Sequence, residues 1–306
     1  MNGNIIVSPL LIPEPLRPSD KIAIVSPAGA VKTELIDSLV QFIADAGFAP
    51  VVMPHAKGKA GSYSASQASR FADMAAAVTD RSIKAIICAR GGYGAVQLLP
   101  SLSTLPLRAN AKWLVGFSDI SALHALWSSY GIASIHGPMA RHLTVNGHNH
   151  PGSRALIDLL RGREVTVKAD AHPLNRHGVA KGPLFGGNLA VLHGLVSTPY
   201  NMLRPDSILV LEDINEPIYR VERMLWQLRL NGVLPKLRGL IVGNFKGAEA
   251  DANHASVEEM IAEMVAPYSY PVCYGAPIGH ILDNMPIRLS APASLTVDSA
   301  GSCLIE

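Results

Sequence analysis

Four short and almost wholly apolar runs recur in the first part of the chain, and stretches of helical periodicity lie between them. That alternation constrains the fold more than any other feature. The runs are KIAIVS (Lys21–Ser26), VVM (51–53), KAIICA (Lys84–Ala89) and KWLVG (Lys112–Gly116). After the first comes a helical pattern around Glu34–Ala46, with apolar residues at Leu35, Ile36, Leu39, Ile43 and Ala46, and after the second an alanine-rich one across Ser66–Val78. A strand that is apolar along its length, rather than at alternate positions, is buried on both faces. Such strands separated by helices build a parallel, doubly wound sheet. The pattern predicts an α/β domain over residues 1–160.

The regularity lapses between Arg161 and Lys181, in RGREVTVKADAHPLNRHGVAK, which reads as a connector over 161–181. Residues 182–306 then read as a smaller α/β domain. It has a helix after Gly187, a strand Ile208–Asp213 and a helix Pro217–Asn231 with apolar Ile218, Val221, Leu225 and Leu228 and Gly232 just past its end. LRGLIVGNF, IRLS, SLTVDS and SCLIE are further strands, so this half ends β-rich.

With 48% apolar and 16% charged residues in 306, the chain can bury a large core. Its 26 basic residues against 24 acids leave no electrostatic footprint for nucleic acid or an anionic membrane. The first twenty residues hold Pro9, Pro13 and Pro15, with no basic start or long apolar run, and no stretch approaches the roughly 18 apolar residues a membrane span needs. Cys88, Cys273 and Cys303 are odd in number and scattered, which suits a reducing compartment and no disulfide framework. A soluble cytoplasmic protein is expected.

Four segments could carry chemistry. In WLVGFSDISALHALW (113–127) a strand ends at Gly116 and a helix begins after Ser118. A serine on such a turn exposes its hydroxyl, and the N–H of Asp119 points where an oxyanion would form. The second glycine of a G-x-S-x-G elbow is missing, and a helix cap at Ser118 or Asp119 is the competing reading. In CARGGYGA (88–95) three glycines at a strand's end let backbone N–H groups face a ligand, and Gly92 is the second oxyanion donor expected; a simple glycine turn competes. ILVLEDINEP places Glu212 and Asp213 at a strand's end, with Glu216 close by, where surface termination of the strand is the alternative. YGAPIGH puts His280 in a loop. Cys88, inside an apolar strand, is a rival nucleophile or an inert thiol. His142, His148 and His150 offer imidazoles but no carboxylate neighbour and no H-E-x-x-H helix, so no metal site is expected.

Taken in order, SPAG (26–29), RGGYG (90–94), GFSD (116–119), HGPM (136–139), GPLFGGNL (182–189), LEDINEPIYRVERMLWQL (211–228) and GAPIGH (275–280) resemble the LD-carboxypeptidase family of serine peptidases, which includes the microcin-immunity type. The resemblance covers nearly the whole chain. It implies a flavodoxin-like N-terminal domain carrying the nucleophile Ser118, and a C-terminal domain carrying Glu212 and His280 as orienting acid and base. It implies no metal or organic cofactor, a murein peptide as substrate with D-alanine as the leaving residue, and allows a homodimer. A microcin-immunity-like hydrolase of peptidyl or acyl-sulfamoyl nucleotides is the alternative enzyme; a two-domain small-molecule binding protein is the alternative of another class. A substrate carboxylate needs a cation, for which Arg223, on the helix after the Glu212 strand, is the candidate; a surface ion pair is its other role.

Overall fold

The computed structural model describes residues 9–305 and places two mixed α/β layers side by side. The first sheet contains β1 (Lys21–Val25), β2 (Ala49–Val52), β3 (Ile83–Cys88), β4 (Trp113–Gly116) and β5 (Ser134–His136), which run parallel in the order β2-β1-β3-β4-β5. That order is the flavodoxin-like winding, and it sends the loops after β1, β3 and β4 to one edge beside the reversal of strand order. The connecting helices include α1 (Thr33–Asp45), which buries Ile36, Leu39, Phe42 and Ile43, and α2 (Gln67–Thr79), whose first turn is capped by Ser66 Oγ accepting from the Ser69 N–H at 3.1 Å. Then come the short α3 (Leu99–Leu102), α4 (Ser121–Ser129), α5 (Ala140–Asn146) and α6 (Pro151–Leu160).

The second sheet comprises β6 (Thr166–Ala169), β7 (Gly178–Asn188), β8 (Ile208–Ile214), β9 (Gly239–Lys246) and β10 (Val272–Cys273), with β12 (Pro292–Asp298) and β13 (Gly301–Ile305). Strands β7, β8, β9 and β10 are parallel; β12, β13 and β6 add antiparallel on the other side of β7. The helices of this half are α7 (Leu189–His193), α8 (Ile218–Leu230) and α9 (Val257–Val265).

Sheet membership departs from the sequence expectation in two places. The stretch 161–181, expected to be connector, contains β6, which pairs with β13, and the start of β7. A short strand of the C-terminal half, β11 (Ile287–Leu289), leaves its neighbours and pairs antiparallel with β5, so it forms the edge of the first sheet.

His124 of α4 lies wholly buried beneath the β4–β5 pair. Its Nε2–H donates to the Gly116 carbonyl at 2.9 Å, which leaves Nδ1 to accept from the Ser134 hydroxyl at 2.8 Å. Burial depresses this imidazole from 6.5 to about 3. Between those values the unfolded chain takes up a proton that the native chain refuses, so the His124 contribution to stability is complete above pH 6.5 and is lost as the pH falls. His124→Gln should therefore gain stability relative to wild type between pH 6.5 and 4, by up to about 1.4 kcal/mol per pH unit. Urea unfolding of both proteins across that range checks this; a pH-independent difference would contradict it.

Candidate active site

The candidate site is built where the loops after β1, β3 and β4 meet the C-terminal half. After β4 the chain passes through an extended Phe117 into Ser118 at φ +64°, then makes a single 3-10 turn (Ser118–Ile120) before α4. A serine held in left-handed backbone is strained, by about 1–3 kcal/mol, and such strain persists only where neighbours enforce it. The neighbour is the loop after β3. A Cβ on Gly91 would lie 2.9 Å from the Ser118 Cβ and 3.2 Å from the Asp119 nitrogen, so only glycine lets the loops approach this closely. The Asp119 side chain does not cap α4. Its Oδ2 accepts from the Ala95 N–H at 2.8 Å and ties the serine turn to the glycine loop.

Arg70 fastens the same assembly from behind. Buried to 2% exposure, it donates to the Pro27 carbonyl at 2.7 Å, to the Gly94 carbonyl at 3.0 Å and to Gln97 Oε1 at 2.6 Å. Gly29 N–H donates to the Gly91 carbonyl at 2.9 Å. Among the described residues, no acceptor takes the N–H of Gly92 or of Asp119.

From the other half comes His280. Its Nε2 stands 3.0 Å from Ser118 Oγ and its Nδ1 2.7 Å from Glu212 Oε2. Gly279, at φ +116°, makes this loop conformation accessible, and a Cβ there would strike Glu212 Oε2 at 2.8 Å. Glu212 lies in β8 at a register shift in the pairing with β9, and is fully buried. Burial pushes its carboxyl up, but the adjacent His136 and His280 outweigh this and hold it below its ordinary value. His136, at the end of β5, sets its Nε2 3.8 Å from Glu212 Oε1, an ion-pair distance and too long for a hydrogen bond.

Strand alternation separates the other acids from this chain of contacts. Asp213 faces the opposite side, where it accepts from Asn188 Nδ2 at 2.9 Å and from the Ala190 and Ile214 N–H groups, each at 2.8 Å. Burial pushes it up to about 6. Glu216 sits 3.5 Å from Arg220. Cys88 is fully buried, and burial pushes its thiol far above the usual range, so it is no nucleophile. The three histidines of 142–150 diverge. His142 packs edge-on against Phe117, His148 stacks on Phe42, and His150 caps α6 while meeting Asp283 at 2.8 Å.

Ser118 and His280 open on a cleft of about 870 Å³. Lys32, Arg90 and Arg141 line it, and among the described residues no Asp or Glu does. Arg223 does not reach the cleft. It is exposed on α8, opposite the buried Ile218, Val221, Leu225 and Leu228, and lies over the Tyr219 ring. The cleft cations, His136 and Arg70 went unassigned in the sequence. They lie on separate segments, and within the family resemblance only RGGYG and HGPM touched any of them, at Arg90 and His136.

Two family models match the chain: the LD-carboxypeptidase N-terminal domain over residues 22–137 and the LD-carboxypeptidase C-terminal domain over residues 181–295. The murein tetrapeptide carboxypeptidase of Pseudomonas aeruginosa is 31% identical over 273 residues, covering 86% of this chain and 89% of that protein. The chain belongs to the LD-carboxypeptidase family. Among solved LD-carboxypeptidase-like structures, the muramoyltetrapeptide carboxypeptidase from Oxalobacter formigenes matches with a TM-score of 0.83 at 27% identity, over 93% of this chain and 98% of that one. The microcin C7 self immunity protein MccF, in complex with aspartyl sulfamoyl adenosine, matches with a TM-score of 0.82 at 22% identity, over 97% and 98% of the two chains, and at that identity it speaks to the fold alone.

In this member of the family the contact between Gly91 and the serine turn yields a test. Gly91→Ala should push the turn off its position and slow fluorophosphonate labelling of Ser118 roughly a hundred-fold, the cost of about 1 Å of misplacement, while the protein stays folded. Labelling at the wild-type rate would show that the close approach does not set the serine's geometry.

Proposed function

We propose that the chain is a serine carboxypeptidase that releases a terminal D-amino acid from an L-centre, with D-alanine of a murein tetrapeptide as the leaving residue. One observation carries the reading: the unbroken chain from Ser118 Oγ through His280 to a buried Glu212 opens on a cleft walled by cations. A murein tetrapeptide is rich in carboxylates, and a cleft with Lys32, Arg90 and Arg141 and, among the described residues, no lining acid suits it. The names of the relatives agree in kind. The three cysteines are free, which suits the cytoplasm.

In this mechanism Ser118 Oγ attacks the scissile carbonyl carbon while His280 Nε2 takes its proton. Glu212 holds Nδ1–H towards itself and stabilises the imidazolium. The negative charge formed on the carbonyl oxygen is met by the N–H groups of Gly92 and Asp119. When the C–N bond breaks, His280 returns the proton to the departing amine, and a water attacks the acyl-serine by the same route in reverse. The Ser118 strain serves this sequence by keeping the hydroxyl on the cleft side of the turn.

Ser118→Ala should lower turnover by about a million-fold with the fold intact. Glu212→Gln should lower it steeply, whereas Asp213→Asn should act on stability. Release of the terminal alanine from tetrapeptides ending in D- or L-alanine, followed by mass spectrometry, reads both effects and the stereochemistry. Equal rates for the two diastereomers would refute LD-specificity, and cleavage of a peptidyl nucleotide alone would move the chain to the immunity type. Arg141→Gln tests the cationic wall: loss of a charge-assisted contact to a carboxylate should raise KM about tenfold or more with kcat nearly unchanged. An unchanged KM would remove Arg141 from substrate binding.

A further inference from the structure

The hydrogen-bonding account of the buried acid is incomplete. Glu212 Oε2 is satisfied by His280, but Glu212 Oε1 is buried and has no hydrogen-bond partner among the described residues. His136, also wholly buried, has neither Nε2 nor Nδ1 partnered, and its Nε2 is 3.8 Å from that oxygen. Two buried polar groups facing each other across a gap about one ångström too wide are costly, and a small side-chain shift removes the cost. We propose that His136 is a positioning residue, whose Nε2–H donates to Glu212 Oε1 and so fixes both oxygens of the acid that orients His280.

The surroundings leave His136 as the donor. β11 sets apolar Ile287 opposite it, and β4 sets Gly116 on its other side. His124, whose ring is 6.3 Å away on α4, already gives its Nε2–H to the Gly116 carbonyl. The Phe117 ring, from the serine turn, lies 5.8 Å away and offers no proton, and His142 beyond it faces Phe117 rather than Glu212. Asp213 is turned to α7 and accepts only. The Gly279 N–H is committed to Asn284 Oδ1 at 2.9 Å. A donor beside the acid withdraws negative charge from the Glu212–His280 pair, so losing it raises the pair's affinity for a proton.

The inference rests on the triad proposed above, and the test separates the two. His136→Phe keeps the ring volume without a donor; His136→Gln returns an N–H near the Nε2 position. His136→Phe should lower kcat ten- to a hundred-fold with KM unchanged, and move the acidic limb of kcat/KM to higher pH. His136→Gln should restore most of kcat and the limb. In wild type, ¹⁵N spectra of labelled histidine should show His136 Nε2 carrying a proton throughout the active pH range. An unprotonated Nε2 there would overturn the inference, even if the phenylalanine variant did not fold. So would a His136→Phe limb that coincides with wild type, or equal losses in both variants with the limb unmoved. A Ser118→Ala protein that kept its activity would instead sink the triad itself.

Discussion

A carboxylate with no solvent exposure is the constraint around which this molecule is arranged. Glu212 has no solvent exposure, and an isolated charge in such a place would be neutralised by taking up a proton. It stays in the low range because imidazoles from both halves of the chain come to it, His280 from the loop before β11 and His136 from the end of β5. The demand of one acid therefore aligns two sheets. The meeting of β5, β8 and the 275–280 loop leaves a serine from β4 within reach of His280 as a geometric by-product.

The seam is held by more than the ionisable groups. Ser121 Oγ, at the start of α4, accepts from the Asn188 N–H at 3.0 Å, and Asn188 in turn holds Asp213 and caps α7. Each of two adjacent residues in β8 thus serves one task. Glu212 points at the cleft side and meets the histidines, while Asp213 points away and organises the first turn of α7. Their different surroundings send their proton affinities in opposite directions, downward for Glu212 and upward to about 6 for Asp213.

Much of the fold was legible because the first sheet is built from apolar runs that have no other use. The order of LEDINE and PIGH after GFSD was enough, with the family resemblance, to nominate the three residues that the structure brings together. What was not legible has a common cause, contact between distant segments. Nothing in GFSD announces that Ser118 takes positive φ; the enforcing glycine is Gly91, in another loop. The cations of the cleft come from two loops and from the first turn of α5, which share no pattern. Arg223 is instructive in the other direction. The stripe of Ile218, Val221, Leu225 and Leu228 already assigned it to the outer face of its helix, so periodicity could have ruled it out of the cleft. Residues 161–181 looked irregular because β6 is a four-residue strand with only one buried position, Val167.

β11 has a bearing on how the chain comes to exist at all. Three residues that follow every other strand of the first sheet along the chain close that sheet's open edge, and they pair directly with the strand that ends in His136. Until they arrive, β5 presents its unpaired N–H and C=O groups to any strand in the vicinity, the usual template for self-association. The nascent first half is thus exposed to clumping until the remainder is made. Separating the halves as independent pieces leaves that edge open and invites aggregation.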